Sequence, residues 1–137
     1  MIKLLQRGFA YACTGLLVET FFTGFLQLLH GDLHLTTTSY LVMLPVYGTA
    51  GLFYDWLQQK TQWNQLKMAV AYLPLLYGQE FAWGLVFRWS IGCPWNYGNH
   101  WWTPMTLVNL AYAPLWFGLV YAFPPARLLF RRWSALR

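Results

Sequence analysis

Four apolar runs organise this chain, at about 8–29, 36–57, 68–89 and 105–123, each near the length that crosses a bilayer. Short polar or aromatic stretches separate them. Tyr11, Gly15, Glu19 and Thr23 recur every four residues in the first run, so they share one helical face. Leu44, Gly48, Gly51 and Asp55 share a face of the second in the same way. Small and polar side chains on one stripe belong against other helices, because lipid offers them nothing. The pattern predicts an all-α polytopic membrane protein: four transmembrane helices forming a single domain over residues 1–137. Pro45 and Gly48 fall within the expected second span and Pro74 within the third. Pro124 and Pro125 are expected to stop the fourth, and the polar run 58–67 is expected to be a loop. No internal repeat is evident at this level.

The first run is not a signal peptide in this reading. It is longer than a 7–15-residue apolar core, contains Glu19 and lacks an Ala-x-Ala site, so it is expected to be a retained span.

Composition strengthens the membrane reading. Charged residues are only 9% of the 137, whereas soluble domains carry about a quarter. The net charge is +5, yet the basic residues sit at the ends of the apolar runs, which fits topology and excludes nucleic-acid binding. Eight of the nine lysines and arginines fall on one side of the expected topology and only Arg88 on the other. Both termini are therefore expected to be cytoplasmic, in the plasma (inner) membrane if the source is bacterial. Cys13 and Cys93 lie near opposite faces and cannot pair, leaving Cys13 as a small packing residue. His30, Asp32, His34 and His100 lack a zinc-type spacing, so neither a metal nor a cofactor is expected.

The candidate chemistry lies in the carboxylates. Glu19 is 11 residues into the first run and Glu80 is 12 into the third, which places both roughly 16–18 Å from the inner end. Tyr47, ten residues from the inner end of the second run, reaches nearly the same depth. An acidic residue at the centre of a span costs roughly 2.5–3.5 kcal/mol. Glu19, Tyr47 and Glu80 thus form a candidate substrate- or ion-binding site, either proton- or cation-linked or a pocket for a headgroup or small solute. The competing reading is a pair of protonated acids that hydrogen-bond helices together. Gly15, Thr23, Gly48 and Asp55 would support the site, with Asp55 able to pair with Arg7 or Lys60. Arg88 is expected to snorkel to the outer surface. Cys93, Pro94, Trp95, Asn96 and Tyr97, followed by Gly98, read as a re-entrant lid or cap.

These residues also carry a resemblance. Gly15 and Glu19 with Phe22-Thr23, Tyr47-Gly48-Thr49 with Asp55, Glu80-Phe81 with Gly84 and Arg88, and the Cys93-Pro94-Trp95-x-Tyr97 turn recur together. With Tyr112-Ala113 and Trp116-Phe117, they make residues 7–118 resemble the transmembrane protein 229 family, also described as ABC-transporter type IV or CmpB-like permeases. Asn96 stands where an aspartate is expected, and Asp55 where glutamate is more usual. The resemblance implies a compact multi-span membrane protein and supplies no mechanism.

Three function classes follow. The first is a permease-like protein handling a small solute or lipid through the carboxylate site. The second is a structural or assembly subunit of a membrane complex, and the third an intramembrane lipid-modifying enzyme. No Gly-x-x-x-x-Gly-Lys-Ser/Thr loop is present, so an ATPase would be a separate chain. The expected partners are membrane lipid, a second copy, and such an ATPase or another membrane protein, with no nucleic acid. The charge asymmetry makes its own test. Reporter fusions at either terminus should register as cytoplasmic, and an impermeant thiol reagent on intact cells should reach Cys93 and not Cys13. An external C-terminus would overturn the topology.

Overall fold

A computed structural model describes residues 2–33 and 39–135, with side chains described from Lys3 to Leu129. Among the described residues it has four α-helices and no strand. They are α1 (Ile2–Leu29), α2 (Met43–Thr61), α3 (Gln65–Ser90) and α4 (Ala113–Ala135). Two single 3₁₀ turns, Pro104–Thr106 and Leu110–Tyr112, lie between α3 and α4. His34 and the first residues of the expected second span, 36–38, lie outside the described residues.

Local chemistry explains the helix ends. Gly31 takes φ +85°, and the amides of Gly31 and Asp32 donate to Leu28 O and Gln27 O, so α1 stops in a Schellman turn. Gln62, at φ 51°, ends α2, and Asn64 caps α3 by accepting from the Lys67 amide at 2.9 Å. The expected ten-residue loop at 58–67 therefore shrinks to three residues, 62–64. Polar side chains there belong to water-facing helix ends, which polarity alone cannot distinguish from a loop.

Two proline expectations are corrected. Pro45 sits in the first turn of α2, where its missing N–H costs nothing, and not inside a span that starts at 36. Pro124 and Pro125 do not stop the fourth helix, which begins at Ala113 instead of 105 and runs on to Ala135. Pro124 cannot donate to Val120 O. The Gln65 side-chain amide on α3 takes that place at 2.8 Å, so the buried carbonyl is satisfied and the helix continues.

The helices form a ring in which α1 packs on α2 and α4, and α3 packs on α4 and α2. Asp55 near the end of α2 pairs with Arg7 near the start of α1 (3.6 Å) and Arg127 on α4 (3.4 Å). The bundle thus runs up-down-up-down, with the α2–α3 turn and the helix ends bearing Arg7 and Arg127 at one end. The α1–α2 connection and the 91–112 segment lie at the other.

The α1–α2 contact is reciprocal. Tyr47 on α2 lies so closely over Gly15 of α1 that a Cβ there would overlap its ring, and Tyr11 on α1 lies over Gly51 of α2 in the same way. Between these pairs the backbones meet, with a Cβ at Gly48 falling 2.9 Å from Gly8 O. Tyr11 then stacks edge-on to Phe123 of α4 at 5.2 Å, which carries the contact into the core of Tyr72, Leu119 and Val120. The outer face of α1 is different: Leu5, Phe9, Leu17, Phe21, Phe25 and Leu29 are each between 56% and 68% exposed. Among the described residues, α1 is the one helix long and apolar enough to cross a membrane.

Replacing either notch glycine tests the reciprocal contact. Gly15→Ala and Gly51→Ala should each lower stability by about 1–3 kcal/mol through overpacking against a tyrosine ring. Gly78→Ala, whose Cβ would meet open space, should be neutral or stabilising. Denaturant titration of the three variants in one detergent checks the ranking.

Candidate functional site

The packing of α1 on α2 brings the first carboxylate into place. Because the helices are antiparallel and Gly15 lies beneath Tyr47, Glu19 is level with the first turn of α2. Tyr47, tilted towards its own N-terminus as helical side chains are, is coupled to the Glu19 carboxylate. Ser39, from the connection before α2, donates to Glu19 Oε2 at 2.8 Å. The connection as well as α2 therefore covers Glu19, which is half-buried.

Glu80 comes from the middle of α3 and is only 2% exposed. Tyr97 of the 91–112 segment donates to Glu80 Oε1 at 2.8 Å, while Oε2 is buried with no hydrogen-bond partner among the described residues. Tyr47 and Tyr112 are within electrostatic reach of both Glu19 and Glu80, and the two carboxylates are coupled to each other. Glu19, Tyr47 and Glu80 thus lie within electrostatic reach of one another, with Ser39 hydrogen-bonded to Glu19 and Tyr97 to Glu80. Burial, and after it the Glu80 charge, pushes the Tyr97 phenol far above its ordinary value, so it acts as a donor and not as an anion. Its ring packs edge-on to Tyr112 at 5.4 Å.

The 91–112 segment is a constructed cap. Leu107, fully buried, fills the notch left by Gly84 on α3, where a Cβ would stand 3.0 Å from its side chain. Trp95 donates from Nε1 to Leu107 O at 2.9 Å, and Thr103, 2% exposed, bonds to Gly98 O and His100 O. Cys93 and Pro94 are half-buried where the chain leaves α3, and Cys93 is a free thiol. Arg88 does not simply snorkel. Its Nη2 donates to Met105 O at 2.8 Å and to Thr106 Oγ1 at 3.1 Å. Met105 (φ 51°) and Thr106 (φ 64°) are both left-handed, which is costly for side chains of these shapes. The arginine holds this strained turn, and Thr106 O in turn accepts from the Tyr97 amide at 3.0 Å.

The remaining supporting residues divide between the two ends. Gly15 and Gly48 set the α1–α2 approach, and Thr23 bonds back to Glu19 O in its own helix at 2.8 Å. Asp55, 3% exposed, lies at the opposite end from Glu19. It pairs with Arg7 and Arg127, while Lys60 lies instead over the Trp56 ring at 4.4 Å. The two guanidinium contacts to Asp55, at 3.4 and 3.6 Å, are longer than hydrogen bonds, so they act as ion pairs.

The structure also exposes a signal missed in the sequence. Tyr11-x₃-Gly15-Leu16-x₂-Glu19 and Tyr47-x₃-Gly51-Leu52-x₂-Asp55 are the same pattern on two antiparallel helices. Each tyrosine fills the other helix's glycine notch and is coupled to the other helix's carboxylate. A Gly-Leu pair recurs in α3 (Gly84-Leu85) and α4 (Gly118-Leu119). Ser39 and Tyr112 carried no comparable pattern, because only the folded connections bring them to the carboxylates.

No protein-family model, curated protein or solved structure matches this chain. The site's chemistry therefore rests on its own geometry.

The cap's attachment is open to measurement. Arg88→Gln should release the 97–107 segment, raising amide exchange at Tyr97 and Leu107 by about tenfold or more for the loss of a charged hydrogen bond. Met105→Gly, which relieves one left-handed residue, should slow it. Amides in the middle of α2 should be unaffected by either change.

Proposed function

We propose that this chain is a four-span, permease-like membrane protein in which Glu19 and Glu80 form a shared site that changes protonation as a small solute or lipid is handled. The observation that carries this reading is an inversion of the usual distribution. Glu80 and Asp55 are 2% and 3% exposed, while Phe21, Leu5 and Leu29 of α1 are 66–68% exposed. Water would reverse that order; a bilayer favours it. On this reading α1 meets lipid along its whole outer stripe, and α2, α3 and α4 turn their polar residues into the bundle. The basic residues Lys3, Arg7, Lys60, Lys67 and Arg127 then face the cytoplasm, and Arg88 with the cap faces outward.

The cluster suits proton-linked work better than metal binding. It offers two coupled carboxylates, three phenols and a hydroxyl, all able to donate or accept a hydrogen bond. Among the described residues Tyr97 is the one hydrogen-bond donor to Glu80, so movement of the cap would change the donors around that carboxylate. The resemblance to the transmembrane protein 229 family supports a compact membrane protein with these same residues. It is silent on the solute.

The deciding substitution is Glu80→Gln, which keeps size and hydrogen bonding and removes titration. On the proposed reading this variant inserts at normal level and fails to complement a deletion strain, while Glu80→Leu also weakens assembly. Interhelical hydrogen bonds in membranes are worth about 0.6–2 kcal/mol, so that weakening is modest. Full complementation by the Gln variant would overturn the titratable site. It would leave the carboxylates as links between helices.

A further inference from the structure

The groove between α1 and α2 carries a second feature, at the end opposite the carboxylate pair. A cleft of about 220 Å³ is lined by Leu4, Arg7, Leu52, Asp55, Trp56 and Gln59. A second cleft, of about 300 Å³, begins at the same Leu4 and Leu52. It runs on past Gly8, Ala12 and Gly48 to Pro45, and Thr49 is its one polar side chain. The two clefts adjoin at Leu4 and Leu52, a charged one at the mouth of the groove beside an apolar one. The glycines shape the groove: Gly8 and Gly48 bring the two backbones together, and Leu52 lies against Gly8 where the two clefts adjoin.

The charges at the mouth do not cancel. Asp55 lies at its back, held by Arg127 at 3.4 Å and by Arg7 at 3.6 Å, so two guanidiniums face one carboxylate. The Arg7 side chain is 34% exposed, so its guanidinium can be reached by a ligand from the surface. Lys60 lies over Trp56, which itself lines the mouth. An anion is favoured there, and an alkyl chain in the groove beyond.

We propose that the α1–α2 groove binds an anionic phospholipid, its phosphate at Arg7 and Lys60 beside Trp56 and one acyl chain lying along Gly8, Ala12 and Gly48 as far as Pro45. The site rests on the membrane reading given above and not on the titration of Glu19 and Glu80. Charge complementarity selects the occupant. The mouth is at the basic end of the bundle, where the proposed topology meets the anionic cytoplasmic leaflet. A zwitterionic lipid would leave the surplus positive charge unmatched.

Retention of lipid by the purified chain tests this. Membranes are first washed with alkaline carbonate, and release of the chain into the wash would overturn the membrane reading and this site with it. The retained chain is then purified in mild detergent, offered phosphatidylglycerol and phosphatidylcholine of identical acyl chains, and weighed by native mass spectrometry. The wild type should prefer phosphatidylglycerol. Arg7→Gln and Lys60→Gln should each reduce that preference about fivefold, the equivalent of about 1 kcal/mol per basic residue near an anionic surface. Among the described residues Asp55 pairs with Arg7 and Arg127 and Lys60 lies over Trp56, so the Lys60 variant leaves both partners of that ion pair in place. Leu4→Trp, at a half-exposed position shared by both clefts, should lower retention of both lipids. Glycerol phosphate, which has the charge and no chain, should not displace the bound lipid. Equal retention of the two lipids, or a preference unchanged in both charge variants, would overturn the site while leaving the membrane reading intact.

Discussion

Two tyrosine rings seated on two glycines set the register on which the rest of the molecule depends. Tyr47 on Gly15 and Tyr11 on Gly51 fix how far α1 slides along α2, since moving either helix by one turn would drive both rings into side chains. The same register decides where the carboxylates go. Each follows its helix's glycine by four residues, so antiparallel packing sends Glu19 to one end and Asp55 to the other. One local pattern, used twice, thus produces two acidic positions in different surroundings. Asp55 meets two guanidiniums, whereas Glu19 meets a serine hydroxyl, a phenol and the field of a second glutamate.

The second half of the chain depends on that frame through backbone carbonyls held by side chains. Gln65 takes the place of the amide that Pro124 lacks, and Tyr54 donates to the same glutamine at 2.9 Å. Tyr72 donates to Ala50 O at 2.6 Å, and Gln79 to Val46 O at 2.7 Å, so α3 is fastened to α2 by polar contacts as well as by packing. In an apolar setting such bonds have no water to compete with them. The Gln65 bond also explains how α4 continues past Pro124. With α3 fixed, Gly84 and Arg88 give the cap its two attachments, and Tyr97 can reach Glu80.

Much of this was legible in the sequence, though unevenly. The stripe of Tyr11, Gly15, Glu19 and Thr23 identified the inner face of α1, because period four is a property of the helix itself. Counting residues along helices puts Glu19, Tyr47 and Glu80 at similar depth, and in the fold they lie within electrostatic reach of one another, with Glu19 level with the start of α2. Boundaries were less legible. The run from Gln58 to Lys67 is polar because helix ends face water, and Pro124 ends a helix only if no side chain replaces its donor. Gln65, 59 residues earlier, supplies that replacement, and no local rule could reveal it. The bonds of Arg88, which is exposed as expected, were not legible for a related reason: a lone cation near a helix end looks free until a turn is folded against it. The Tyr-x₃-Gly-Leu-x₂-acid repeat was present in the letters, yet its meaning is reciprocal and appears only when the helices are laid antiparallel.

The two ends of the bundle finally differ in sign, and that difference bears on what each can attract. Among the described residues no lysine or arginine is coupled to Glu19 or Glu80, and the nearest cation along α3, Arg88, is occupied by Met105 O and Thr106 Oγ1. A species drawn to that pair would bring a proton, a positive charge or hydrogen-bond donors, because no described lysine or arginine faces it. At the other end the surplus is positive, since Asp55 answers only one of its two arginines. A solute suited to the first end is unsuited to the second, which argues against a single path with both ends as equivalent gates. The arrangement fits a donor-bearing solute approached from the capped side and an anionic lipid held at the basic side. The two ends are joined structurally by the α1–α2 register that places them.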